Sequence, residues 1–177
     1  FAEARWSSNV SIEDDRVDRV QYGQERGVGV RVVAGDITGY AYADGWDEDA
    51  LLRAARAASA VARGGPAGAV ARVVVSARGD ADRGAWDQPP VQSSPATRAE
   101  LARRANATAR EAGPLVRQVQ ARLAESVQRV LIASSDGTYA EDQRRAAQLS
   151  VAVTAARDGV LQVGRRARGG GTDVDLF

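Results

Sequence analysis

The stretch Gly27–Asp44, GVGVRVVAGDITGYAYAD, does most to limit the fold. Val28, Val30 and Val32 alternate with Gly29 and Arg31, the period of a strand with one buried face. Gly35-Asp36 supplies a turn, because glycine takes the positive φ that short hairpin turns need. Thr38, Tyr40 and Tyr42 then share one face of the return strand, with Gly39 and Ala41 on the other. Side chains that small let a packed helix or a ligand come close to the backbone.

The residues before this hairpin extend it. Ala2, Ala4 and Trp6 share a face, Val10 and Ile12 resume the alternation, and Glu13-Asp14-Asp15 reads as a polar turn. A second strand is expected over Arg16–Tyr22, with Gly23–Arg26 leading into the hairpin. Strands over 1–44 therefore form an antiparallel meander. A helix over 47–63 follows. Asp47, Glu48 and Asp49 crowd its start, where the helix dipole favours negative charge. Leu51, Ala54, Ala55, Ala58 and Val61 make its apolar stripe, and Gly64-Gly65-Pro66 ends it.

Val70–Val75 reads as a short strand, and 76–94 as a loop broken by Gly79, Gly84, Pro89 and Pro90, with Trp86 to pin it to the core. The second helix is expected over 97–112, with Thr97 and Glu100 at capping-box spacing and Ser94-Pro95 as an alternative cap. Leu101, Ala105, Thr108 and Ala112 line one side. Strands then fill 115–168. The run Val127–Ala133 suggests a central strand, and Asp158-Gly159 signals a hairpin. A Gly-rich exit segment occupies 169–177. Two strand-rich blocks around two main helices give an α+β fold with a largely antiparallel sheet.

Composition narrows the chemistry. The 177 residues include no cysteine and no histidine, which excludes a disulfide, a thiolate or histidine metal ligand and a Ser-His-Asp triad. The net charge of +1 argues against nucleic acid as a partner. No apolar run approaches a membrane span, so a soluble cytoplasmic protein is expected. Phe1 as first residue, with no methionine anywhere, suggests a cut or processed amino terminus.

Few motifs carry chemistry by themselves. Glu13-Asp14-Asp15 could form a hard-metal ligand set but reads better as a solvated turn. Arg53, Arg56 and Arg63 could bind an anion but read as a solvated helix face. Gly27-Val28-Gly29 lies within a strand with no helix after it, unlike a dinucleotide loop. Asp173 and Asp175 could support acid–base work but read as solvated. No catalytic and no metal residue is assigned.

Three blocks carry a family resemblance. SIEDDRVDRVQYGQERGVGVRVVAGDITGYAYAD, ASSDGTYAEDQRRAAQLSVAVTAARDG and VGRRARGGGTDVDLF agree in order and spacing with the TldD/PmbA (TldE) family, described as modulators of DNA gyrase and as metallopeptidases. The wording TGYAYAD is closer to the TldD branch. The resemblance implies that 1–177 is the amino-terminal domain of such a protein. It implies a zinc site, a His-Glu-x-x-x-His helix, in a carboxy-terminal domain that this chain lacks, so the chain alone is expected to be inactive and to need no cofactor. It implies a TldE/PmbA-like partner subunit, or a homodimer partner, and a chamber that encloses peptide. Within that frame Gly169, Gly170, Gly171, Thr172 and Asp173 are the candidate substrate-binding residues, presenting backbone to an extended peptide. The alternatives are a mobile linker at this position, and a non-catalytic TldE-like subunit or interaction scaffold for the chain as a whole.

Overall fold

A computed structural model describes residues 1–64, 93–171, 174 and 177. The strand expected over 70–75, most of the loop 76–94 with Trp86, and Thr172, Asp173 and Asp175 lie outside the described residues. The elements run β1 (Ala2–Glu13), β2 (Arg16–Ala34), β3 (Ile37–Asp44), α1 (Glu48–Ala62), α2 (Pro95–Arg110), β4 (Val116–Ala133), β5 (Tyr139–Arg157) and β6 (Val160–Gly170). The described strands form one six-stranded sheet in the order β3-β2-β1-β4-β5-β6.

The sheet is antiparallel. β2 and β3 pair from Gly27↔Asp44 to Ala34↔Ile37, and β5 and β6 from Ala147↔Gly170 to Arg157↔Val160. Side-chain bonds trace the inner pairs. Glu13 meets Gln118, Asn9 meets Arg122 and Glu3 meets Gln128, so β4 runs against β1. Arg129 meets Gln143 and Arg122 meets Ser150, so β5 runs against β4. The expected α+β class with a largely antiparallel sheet is the observed one.

Contacts divide the chain into two compact units. The first holds residues 1–5, 24–64 and 128–143; the second holds 6–23, 93–127, 144–171, 174 and 177. β1, β2, β4 and β5 contribute to both.

In the first unit α1 packs on β3. Asp47 caps the helix, its Oδ1 accepting from the Ala50 N–H at 2.8 Å, and Gly64 follows it at φ +66°. The buried face is Ala50, Ala54, Ala58 and Ala62 at i+4 spacing, with Ser59 beside them. Of the expected stripe, Ala54 and Ala58 are buried, Leu51 and Ala55 are half-buried, and Val61 is 57 % exposed. The cause is the partner surface. A Cβ on Gly39 would lie 1.9 Å from the Ala58 carbonyl oxygen, so α1 rests on bare backbone and only alanines fit the gap. The close approach expected at the small residues of β3 is that of a helix.

In the second unit α2 starts at Ser94, the alternative cap, whose Oγ accepts from the Thr97 N–H at 3.0 Å. Pro95 sits in its first turn. Its buried face is Arg98, Ala102 and Asn106, two of them polar, rather than Leu101, Ala105 and Thr108. The core beneath consists of Val10, Ile12, Ala102, Leu123 and Val174, with Leu149 and Phe177 against it.

Two strands are longer than their sequence suggests. β2 is one strand of 19 residues where a strand over Arg16–Tyr22 and a separate hairpin arm were expected. The cause is again close packing. A Cβ on Gly23 would stand 2.8 Å from Ser7 Oγ, and one on Gly27 would stand 3.0 Å from the Ala43 carbonyl oxygen. These glycines admit neighbours without ending the strand. β4 likewise joins the alternation from Val119 to the run Val127–Ala133, and it lies in the middle of the sheet.

The hairpin turns follow their residues. Asp14 and Asp15 sit at φ +48° and +66°, and Asp158-Gly159 at +51° and +79°, the left-handed pairs of two-residue turns. The β4–β5 turn is held by Asp136, whose Oδ1 accepts from the Thr138 N–H at 2.9 Å. That bond, with lesser ones from the side chains of Thr138 and Ser134, lowers the Asp136 pKa below 3.8. A depressed carboxyl pKa stabilises the fold above its unfolded value, and that contribution is lost as pH falls through the folded value. The Asp136 carboxyl resonance should therefore titrate below the usual aspartate range, with the Thr138 amide shifting alongside it. A normal midpoint would show that the turn bond is not held in solution.

Candidate functional site

Gly169 and Gly170 belong to β6, opposite Gln148 and Ala147. They are strand residues, which corrects the reading of 169 onward as an exit segment separate from the sheet. Gly169 has a packing reason to be glycine: a Cβ there would lie 2.6 Å from the Ala147 carbonyl oxygen. Gly171 follows the strand, with its Cβ direction 3.7 Å from the Arg145 carbonyl. Thr172 and Asp173 lie outside the described residues.

A groove of about 550 Å³ lies in the second unit, and none of Gly169, Gly170 and Gly171 is among its described lining residues. Its floor is Leu149, Val151 and Val153 of β5. Its wall is the face of α2 carrying Leu101 and Ala105, with Phe177 closing one side. Leu101, Ala105 and Thr108, expected on one side of α2, line this groove, with Leu101 also packed against the core. Gly164 of β6 faces Val153 across the strand pair and leaves the groove open there. Arg104, Arg165 and Arg166 complete the described lining, and no carboxylate is among the described lining residues.

β6 has a neighbour on one side only among the described strands. Every β6 residue from Val160 to Gly170 is exposed. An edge of this kind offers backbone N–H and C=O groups to another extended chain.

A second cluster holds the start of α2. Arg98 donates through Nη1 to Glu125 Oε2 at 2.9 Å and to the Ser93 carbonyl at 2.6 Å. Its Nη2 donates to the Tyr22 hydroxyl at 2.7 Å, with the guanidinium 5.2 Å from that ring's centre. Ser93 Oγ donates to Glu125 Oε2 at 2.6 Å. These bonds fix the helix to β4 and β2, while Arg98 Nε is buried without a hydrogen-bond partner among the described residues. Sequence reading passed over Arg98 and Glu125, since each sits in a polar stretch with no motif around it.

The other candidates resolve simply. Asp14 accepts from the Val119 N–H at 3.1 Å and pairs with Arg110, while Asp15 lies 3.6 Å from Arg110. The acidic turn is thus tied to α2 and β4. Arg53, Arg56 and Arg63 are exposed. Gly27 and Gly29 lie within β2, and the Tyr40 hydroxyl overhangs Gly29. Among the described residues, no group of three His, Cys, Asp or Glu side chains is placed to hold a metal ion. The described residues do not fit a zinc centre. No described helix is long and apolar enough to cross a membrane.

Residues 88–177 match the model of the PmbA/TldA metallopeptidase central domain, and residues 1–62 match that of the PmbA/TldA metallopeptidase domain 1. The chain belongs to the PmbA/TldD metallopeptidase family. A metalloprotease TldD homolog of Haemophilus influenzae is 30 % identical over 166 residues, covering 94 % of this chain and 34 % of that protein. One of Buchnera aphidicola subsp. Acyrthosiphon pisum is 28 % identical over 167 residues, with the same coverage. This chain therefore spans about a third of the curated family relatives it matches.

Solved structures of the family share the fold. A Bacteroides thetaiotaomicron protein described as a modulator of DNA gyrase superposes with TM-score 0.64 at 14 % identity, over 96 % of this chain and 40 % of its own. TldE of Thermococcus kodakarensis superposes with TM-score 0.61 at 14 % identity, over 97 % of this chain and 40 % of its own.

Proposed function

We propose that this chain is the non-catalytic amino-terminal part of a TldD-like zinc metallopeptidase, in which it helps enclose the chamber and holds peptide in extended form. The observation that carries the reading is the outer edge of β6, which no described strand pairs, beside an open groove, in a chain of metallopeptidase ancestry. Strand addition recognises backbone, so it grips many sequences and suits a peptidase that accepts unfolded segments. Zinc and its ligands belong to the remainder of such a protein. A TldE-like subunit is its natural partner, and the cytoplasm is the compartment where the two would meet. The TldD side is preferred over a TldE-like scaffold because TldD homologs are the sequence relatives at 26–30 % identity.

The complete protein, mixed with its partner, should carry zinc and cleave peptides, and this chain alone should do neither. Neither zinc nor cleavage in any mixture would favour the scaffold. Edge binding is tested on the substrate, because alanine at Gly169 would strike the Ala147 carbonyl and disturb the strand pair itself. Peptides methylated at alternate backbone nitrogens cannot donate to β6. Their KM should rise by about tenfold, as expected when hydrogen bonds worth ~1 kcal/mol each are lost. An unchanged KM would remove β6 from substrate binding.

A further inference from the structure

Among the described residues the groove carries one sign of charge. Arg104, Arg165 and Arg166 line it without a carboxylate among the lining residues, and none of the three has an ion-pair partner among the described residues. β6 contains no acidic residue from Val160 to Gly170. The strand register adds direction. Arg166 lies opposite Val151 and Arg168 opposite Leu149, so both arginines share the face that bears the apolar floor. Two positions apart on a strand, they are about 6.8 Å from each other along it.

We propose that the groove selects an acidic extended peptide, with carboxylates at alternate positions, laid along the β6 edge that no described strand pairs. The proposal rests on the edge-binding reading above and names the substrate class for it. An added strand has the same two-residue period as β6. Its side chains on the groove face therefore recur at the spacing of Arg166 and Arg168, where guanidinium forks can each take a carboxylate. Its neighbouring aliphatic groups lie over Val151 and Val153, and burial there lowers the local dielectric and strengthens the ion pairs. Edge arginines also keep sheets from pairing edge to edge, but charge of either sign does that. Arginines alone, beside an apolar floor, discriminate between partners. Nucleic acid fits less well, since single strands bind on stacked aromatic platforms and Phe177 is the one aromatic among the described lining residues.

The test uses the complete protein with its partner subunit and short fluorescein-labelled peptides followed by anisotropy. One peptide has Glu at alternate positions, a second has Gln in their place, and a third has Lys. A single-stranded oligodeoxynucleotide is the fourth probe. The Glu peptide should bind at least about tenfold tighter than the Gln peptide, and the gap should close as salt screens the pairs. The double variant Arg166→Gln/Arg168→Gln, checked for native circular dichroism, should bring the Glu peptide to the affinity of the Gln peptide. Equal affinity of the Glu and Gln peptides for the native protein overturns the proposal, as does an oligonucleotide that binds tighter than the Glu peptide. Equal affinities combined with a raised KM for N-methylated peptides would overturn charge selection alone and leave edge binding standing. An unchanged KM would remove both.

Discussion

Replacing Arg98 with alanine is expected to destabilise the second unit by about 3–5 kcal/mol, the range for breaking a buried ion pair on one side. Arg98 and Glu125 keep only 2 % and 6 % of their side-chain surface exposed. Removing the guanidinium leaves the Glu125 carboxylate with the Ser93 hydroxyl as its remaining polar partner in the cluster. It also strips the Ser93 carbonyl and the Tyr22 hydroxyl of a donor. The double replacement Arg98→Met/Glu125→Leu separates two causes. If the loss comes from a stranded charge, the apolar pair restores most of the stability, since buried pairs often exchange for apolar residues at little cost. If it comes from an unanchored α2, the double variant stays weak, because methionine holds neither Ser93 nor Tyr22. We expect partial recovery. Guanidinium denaturation of the two variants measures it, and a single variant within about 1 kcal/mol of the native chain would show that water reaches the pair.

That pair also marks where the sequence stopped being readable. The strands were legible because alternation, Gly35-Asp36 and Asp158-Gly159 all agree locally. The end of α1 at Gly64 and the alternative cap Ser94 of α2 were legible for the same reason, whereas Asp47 was read inside its helix and is its cap. The buried face of each helix was legible only in part, through Ala54 and Ala58 of α1. A helix stripe read from apolar residues assumes that the core wants the largest ones. In α1 the sheet offers backbone at Gly39 and takes only alanine. In α2 Arg98 is buried through Glu125, a partner 27 residues away, and Asn106 through a bond to the Val119 carbonyl at 3.1 Å. Neither partner is visible in a local window. Of the candidate segment, Gly169 and Gly170 are strand residues of β6, and neither is among the described lining residues of the groove. The arginines that line the groove stand in no local motif that would have marked them.

Gly39→Ala should have the second large effect, and it tests the other helix. The added Cβ would lie 1.9 Å from the Ala58 carbonyl oxygen, 2.8 Å from the Ala62 nitrogen and 2.9 Å from the Ala58 carbonyl carbon. All three are backbone atoms within α1, so no rotamer change can relieve the clash. The helix must lift from β3 or the strand must bend. Overpacking by a single carbon commonly costs about 1–3 kcal/mol, and a clash with backbone belongs at the upper end or beyond. Lifting α1 by the width of a methyl group also unseals Ala50, Ala54, Ala58 and Ala62 together, since all four face the strand pair through the same gap. The loss should therefore be cooperative: amide exchange should accelerate along all of α1 and in β3, and not only near residue 39. Gly35 is the internal control. It is also a glycine of the same hairpin, but no atom stands within 4 Å of its Cβ position, and its φ of +59° is what an alanine there would strain. Gly35→Ala should cost only about 1 kcal/mol, from the left-handed backbone alone. If the two variants lost equal stability, direct seating of α1 on β3 would be wrong.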